Sequence, residues 1–144
     1  MINPRESIYL ALFTKLSASS AFAFATRKNI PSDQLGTVQK PALEMLVKSE
    51  VAEYRGVGIP PKWRMVIHVF VYVDTNDPDK EPATTLNELK DAIEAAVAPD
   101  PSTSKLTLGN LAVECRIQGS IEEDLGLLAG VGGLLIPLEI MTTS

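Results

Sequence analysis

Catalytic and oxidisable side chains are scarce in this chain. It holds one cysteine, Cys115, so no internal disulfide can form and no oxidising compartment is required. It holds one histidine, His68, which nearly removes the commonest general base. Positive charge is in deficit: 13 Lys and Arg stand against 18 Asp and Glu, a formal net charge of −5. A protein that grips nucleic acid releases counterions from phosphate through a cationic surplus, so primary DNA or RNA binding is not expected. Long apolar runs are missing too. The longest nearly uncharged one, Met65–Val73, is far short of the ~20 residues a spanning helix needs. Near the N-terminus the run Ile8–Phe13 is cut off by Thr14 and Lys15, and Glu6 stands where a secretory signal would be basic. That region reads as a structural helix. The chain reads as intracellular at synthesis and not membrane-bound.

What remains is ordinary for a globular protein. The 144 residues suit one domain, 1–144, and are enough to bury a real core. Hydrophobic residues make up 45% and charged residues 22%, which argues against a disordered or fibrous chain.

Periodicity supplies the elements. Asn3 is a good N-cap, Pro4 suits the first helical position, and Glu6 would complete a capping box. Ile8, Leu12 and Leu16 then recur on one stripe, predicting an amphipathic helix over 4–18. Residues 19–41 read as mostly irregular, with Phe22 and Phe24 alternating with alanine as a possible short extended stretch. Leu43–Val51 alternates, with Leu43, Met45, Val47 and Val51 on one face and Glu44, Lys48 and Glu50 on the other. Two glycines and two prolines make Arg55–Pro61 a turn. Trp63–Val73 is the strongest strand: Trp63, Met65, Ile67, Val69, Val71 and Val73 form one apolar face. Arg64, Val66, His68, Phe70 and Tyr72 form a mixed one. Such a strand belongs mid-sheet, with its mixed face partly covered, for instance by another subunit. After the polar loop Thr75–Pro82, Thr85 and Glu88 suggest a second capping box, with Leu86, Leu89, Ile93 and Val97 as the buried stripe. Pro99 and Pro101 stop that helix, and residues 99–110 read as a loop. Leu111–Ile117 and Leu134–Met141 alternate as two further strands. Pro137 cannot donate a ladder bond, which predicts an edge or a bulge there. Two helices need one apolar surface and a sheet offers one. The expected fold is therefore α+β, a two-layer sandwich with an about four-stranded, mostly antiparallel or mixed sheet and both helices on one face.

Candidate chemistry is thin. Glu122, Glu123 and Asp124, with Glu114 nearby, lack the alternating spacing and glycine of a calcium loop and read as a solvated hairpin tip or an electrostatic lining. Gly126–Gly133 lacks the Lys-Ser/Thr pair of a phosphate loop and leads into a strand, so it reads as a flexible turn. His68 has no nucleophile placed beside it, Cys115 shares an apolar strand face, and no serine lies in a Gly-x-Ser-x-Gly elbow. No catalytic, cofactor-binding or metal-binding residue is expected, and the chain does not read as an enzyme. Arg27 and Lys28, with Arg55 across the strand pair, are either ordinary surface charge or the polar anchors of a subunit contact.

A resemblance adds to this. The helix Ile8–Leu16 is followed by Phe24-Ala25-Thr26-Arg27. Gln39-Lys40-Pro41-Ala42-Leu43 then precedes a strand, and Tyr54-Arg55-Gly56-Val57-Gly58-Ile59-Pro60-Pro61-Lys62-Trp63 leads into Val66–Val73. Thr84-Thr85-Leu86-Asn87 and Ile93-Glu94-Ala95-Ala96 come before Leu106-Thr107-Leu108-Gly109. In order and spacing these segments resemble the tail terminator proteins (also called tail completion or minor tail proteins) of long-tailed bacteriophages. The resemblance implies a non-enzymatic virion protein without cofactors. It would form a homo-oligomeric, hexameric ring on the head-proximal end of the tail tube. The ring stops polymerisation of the tube protein and offers a surface for head joining, while DNA passes through without specific binding. Assembly takes place in the host cytoplasm. Phe24, Thr26 and Arg27 match the region before the family's first strand and, with Arg55, are the expected subunit or tube interface. Glu122, Glu123 and Asp124 are the expected lumen or ring rim, where acidity would repel DNA phosphate. Glu44 departs from the resemblance, since relatives carry an aromatic or aliphatic residue there. The alternatives are a head–tail connector or stopper protein and a small α+β binding module.

Overall fold

A computed structural model describes residues 4–30, 41–74, 82–99, 107–109, 111–124 and 131–143. The elements are α1 (Arg5–Ser17), β1 (Phe24–Thr26), β2 (Ala42–Glu53), β3 (Lys62–Asp74), α2 (Pro82–Ala96), β4 (Glu114–Ile117), β5 (Glu122–Asp124) and β6 (Val131–Thr143). The class is α+β, with a mixed six-stranded sheet and two helices. Two short strands, β1 and β5, enlarge the expected four. β1 is too short for periodicity to reveal, and β5 is acidic throughout.

The sheet runs β1-β2-β3-β6-β4, and β5 also pairs with β6. β1 is parallel to β2, and every other pairing is antiparallel. β3 occupies one side of β6 along its whole length, so β4 and β5 share the other side end to end. β3 is central, as its one apolar and one mixed face require. Met65, Ile67, Val69 and Val71 meet the buried stripes of both helices in one core, together with Leu134, Ile136, Leu138 and Ile140. Fully burying one such side chain stabilises the fold by about 1.5–3 kcal/mol, so the helices are held mainly by this shared layer.

Several local expectations are corrected. α1 begins after Pro4 with no side-chain cap; Glu6 turns instead to pair with Arg27. Asn3 lies outside the described residues. α2 starts at Pro82, so Thr85 is inside the helix and does not cap it. β6 is an interior strand despite Pro137. β4 pairs with Leu138–Met141 and β5 with Gly133–Leu135, so the proline falls where one outer strand has ended and the other has not begun. The Pro137 carbonyl accepts a bond from the Gln118 N–H at 3.1 Å. In an antiparallel ladder a residue's N and C=O face the same neighbour, so the missing N–H costs nothing against β3.

β2 carries a bulge between Val47 and Ser49. One extra residue reverses the alternation beyond it. Val51 therefore lies opposite Arg64 on the outer face, away from Leu43 and Met45, while Glu50 turns to the helix side opposite Met65. Glu44 is also corrected: it is fully buried on the outer face, between Thr26 of β1 and Phe70 of β3.

Candidate functional site

The hairpin of β2 and β3 outruns the helices. From Val51 to Pro60 every residue except Glu53 and Gly56 is exposed. Four apolar side chains on this arm face solvent: Val51, Tyr54 at 80% exposure, Val57 at 93% and Ile59. Isolated exposed hydrophobics are normal, but a run of them on one projection marks a surface that meets something.

The arm is braced at its base on both faces. On the helix side the Arg5 Nε donates to Glu50 Oε2 at 2.6 Å, the Tyr9 hydroxyl donates to Glu50 Oε1 at 2.8 Å, and the Arg5 guanidinium stacks 4.6 Å from the Trp63 ring centre. Burial would raise the Glu50 carboxyl, but these two donors hold it below the usual range. Tyr9 responds in the opposite sense: burial, then its bond to Glu50, pushes its hydroxyl well above the ordinary value. On the outer face a charge ladder crosses four strands. Arg64 Nη2 lies 2.5 Å from Glu53 and its Nε 3.7 Å from Glu139; Arg116 lies 3.1 Å from Glu139 and 3.3 Å from Glu114. The tip is a short turn in which the Ile59 N–H donates to the Gly56 carbonyl at 3.2 Å. Gly58 sits there at φ +75°, a conformation that glycine adopts without strain, and Pro60 and Pro61 direct the return. The arm is thus pre-organised.

Among the described residues, the edge of the sheet beside the arm is open. β1 pairs only with Ala42–Glu44, and among the described residues no strand pairs with that side of β2 beyond this point, while β3 holds the other side. Lys48, Arg55 and Lys62 have no carboxylate partner among the described residues.

The expected site residues do not converge. Phe24 and Thr26 lie in β1, and Thr26 Oγ1 accepts from the Lys28 N–H at 3.0 Å. Arg27 follows β1 and is engaged by Glu6. Arg55 lies at the arm, the opposite end of β2, about 30 Å away at the rise of an extended strand. The two arginines therefore do not face each other across the strand pair. The acidic cluster is split by the pleat. Glu122 pairs with Leu135 and Glu123 with Leu134, on opposite faces of the sheet, and Glu123 is engaged by Lys90 of α2. The side chain of Asp124 lies outside the described residues, as does most of the glycine-rich stretch.

The other singled-out residues are in packed surroundings. His68 meets Phe70 edge-on, with ring centres 6.2 Å apart. Burial pushes the Cys115 thiol up to about 12, far from the thiolate a nucleophile needs. Among the described residues no group of acidic, histidine and cysteine side chains is placed to hold a metal ion, and no helix is long and apolar enough to cross a membrane. Sequence reasoning missed the ladder and the buried Glu44. The signal for Glu139 was available, because it falls on the outward positions of β6, two residues from Pro137 and opposite Arg116.

No family model and no curated protein matches the chain. Among solved structures, one of a protein whose name states no function is similar, with a TM-score of 0.55 and 13% identity. It covers 98% of this chain and 97% of that chain. That likeness extends over the whole fold and shows the fold alone.

Proposed function

We infer that this protein is a virion morphogenesis protein that works by assembly. It caps the head-proximal end of a phage tail tube as a homo-oligomeric ring, stops tube polymerisation and provides the surface for head joining. The observation that carries the reading is the braced apolar arm beside an open sheet edge. A rigid projection with exposed Tyr54, Val57 and Ile59 suits a contact between copies or with the tube protein. The order of the sequence motifs supplies the tail-terminator role, and the negative balance suits a collar through which DNA slides. Of the two expected arginines, Arg55 is the stronger interface residue, because Arg27 is already held by Glu6. Of the expected rim, Glu122 is the stronger residue, because Glu123 is held by Lys90. The reading assigns no enzymatic step and no cofactor.

Electron microscopy of the purified protein, alone and mixed with tail tubes, tests this. The expected result is a six-fold ring with a central hole that sits on one tube end and prevents further growth. A protein that never forms rings and leaves tube growth unchanged would overturn it.

A further inference from the structure

Two surfaces of this molecule carry opposite, unpaired charge. The arm presents Arg55 and Lys62 around Tyr54 and Val57. The outward side of α2 presents Glu88, Asp91 and Glu94, all exposed and without a cationic partner among the described residues. Their three- and six-residue separations place them along one side of the helix, opposite the buried Leu86, Leu89 and Ile93. One molecule cannot close this contact on itself. Lys90 of α2 is tied to Glu123, whose neighbour across the ladder is Leu134, and Leu134 pairs with Val71. Val71 lies nine positions along β3 from Lys62, about 30 Å at the rise of a strand.

We propose that the arm of one copy docks on the acidic side of α2 of the next, making a head-to-tail contact between copies of this chain. The proposal rests on the ring reading above and names the contact that builds the ring. Charge decides the geometry. Two arms meeting each other would oppose cation to cation, and two α2 faces would oppose carboxylate to carboxylate, so arm-to-arm and α2-to-α2 pairing is disfavoured. A contact between unlike patches repeats around a closed ring. Charge also decides the receptor. An apolar depression of about 550 Å³ beside α1, lined by Leu10, Ala11 and Leu108, is a rival seat for the tip, but its charged rim residue is Lys15, of the same sign as the arm.

The test uses two charge-reversed proteins. One carries Arg55→Glu with Lys62→Glu; the other carries Glu88→Lys with Asp91→Lys. All four positions lie outside the buried core, so thermal melts should match wild type and exclude misfolding. Mass in solution should show each variant assembling at least roughly tenfold more weakly than wild type, since like charges then face each other. A mixture of the two should recover rings, because each reversed arm then meets a reversed helix and the original pairs alternate with them. Raising the salt should weaken the wild-type ring. Variants that assemble like wild type, or a mixture that recovers nothing, would overturn the contact. So would a wild-type protein that stays monomeric, or rings lost through Leu10→Asp while the α2 reversal is silent. Capping of tail tubes by wild type is scored separately, so a ring built through another surface defeats this contact and leaves the tail-terminator reading standing.

Discussion

Two carboxylates are buried on the outer face of the same sheet, and the protein treats them in opposite ways. Glu139, toward the arm, is nearly sealed from solvent but has an arginine from each side: Arg64 from β3 and Arg116 from β4. Glu44, toward β1, is completely sealed. Its strand neighbours are Thr26 and Phe70, and among the described residues neither of its oxygens has a hydrogen-bond partner of ordinary geometry. Burial raises its carboxyl, and the nearby backbone of Ile30 offsets only part of that. Burial pushes the Tyr72 hydroxyl up, and the Glu44 charge adds to that. Only one of the two charges belongs to the architecture. Removing what surrounds Glu139 leaves a buried ion alone, whereas removing Glu44 itself relieves one.

The largest effect is expected from making Glu139 resemble Glu44. Replacing Arg64→Met and Arg116→Met together strands the Glu139 carboxylate. Breaking a buried pair costs about 3–5 kcal/mol. Both arginines are about two-fifths exposed, so screening by water places the loss near the low end, about 3 kcal/mol. Urea unfolding at neutral pH measures it. A loss under about 0.5 kcal/mol would mean the ladder is ordinary surface charge.

The reverse experiment makes the Glu44 end apolar. Glu44→Leu should gain about 1–3 kcal/mol at pH 7 by removing an unpaired buried group. The sign follows from the raised carboxyl. A folded-state value above the unfolded one, about 4.3, means that the fold favours the protonated form. Wild type thus recovers stability as pH falls through the raised value, and the advantage of Glu44→Leu should vanish below pH ~4. Melting both proteins across that range checks it. A gain that is constant with pH would assign the effect to packing and leave charge no part in it.

These two sites also show what the sequence made legible. The apolar faces of β3 and β6 and the stripes of both helices follow from periods of two and 3.6, because burial imposes those periods on the side chains themselves. The reading of β2 failed after Lys48 because a bulge leaves no mark in composition, and a one-residue offset inverts every later side chain. Alternation says of Glu44 only that it opposes Leu43, not that its own face is covered. Pro137 marks neither an edge nor a bulge but a junction between two short outer strands, which only long-range pairing creates. The candidate interface was legible in part: Arg55 lies on the arm, but the arm's exposure depends on where the helix layer stops. The segments that resemble a phage family fixed an expectation of function, and the geometry adds the surface on which to test it.

A third carboxylate gives the mildest and most diagnostic case. Glu50, on the helix side, is partly exposed and satisfied by Arg5 and Tyr9. Tyr9→Phe removes one neutral donor and leaves the arginine in place, so the loss at pH 7 should be about 1 kcal/mol. The pH dependence runs opposite to that of Glu44. The Glu50 carboxyl is held below the unfolded value, so its contribution is fully present above pH ~5 and is lost as pH falls through the depressed folded value. The deficit of Tyr9→Phe should therefore close in acid, where the protonated carboxyl no longer attracts the hydroxyl. Stability curves for Tyr9→Phe and Glu44→Leu would then approach wild type at low pH from opposite sides, one from below and one from above. If both approached from the same side, the two carboxylates would share one environment, and the contrast between the two faces at the base of the arm and the edge of β1 would be lost.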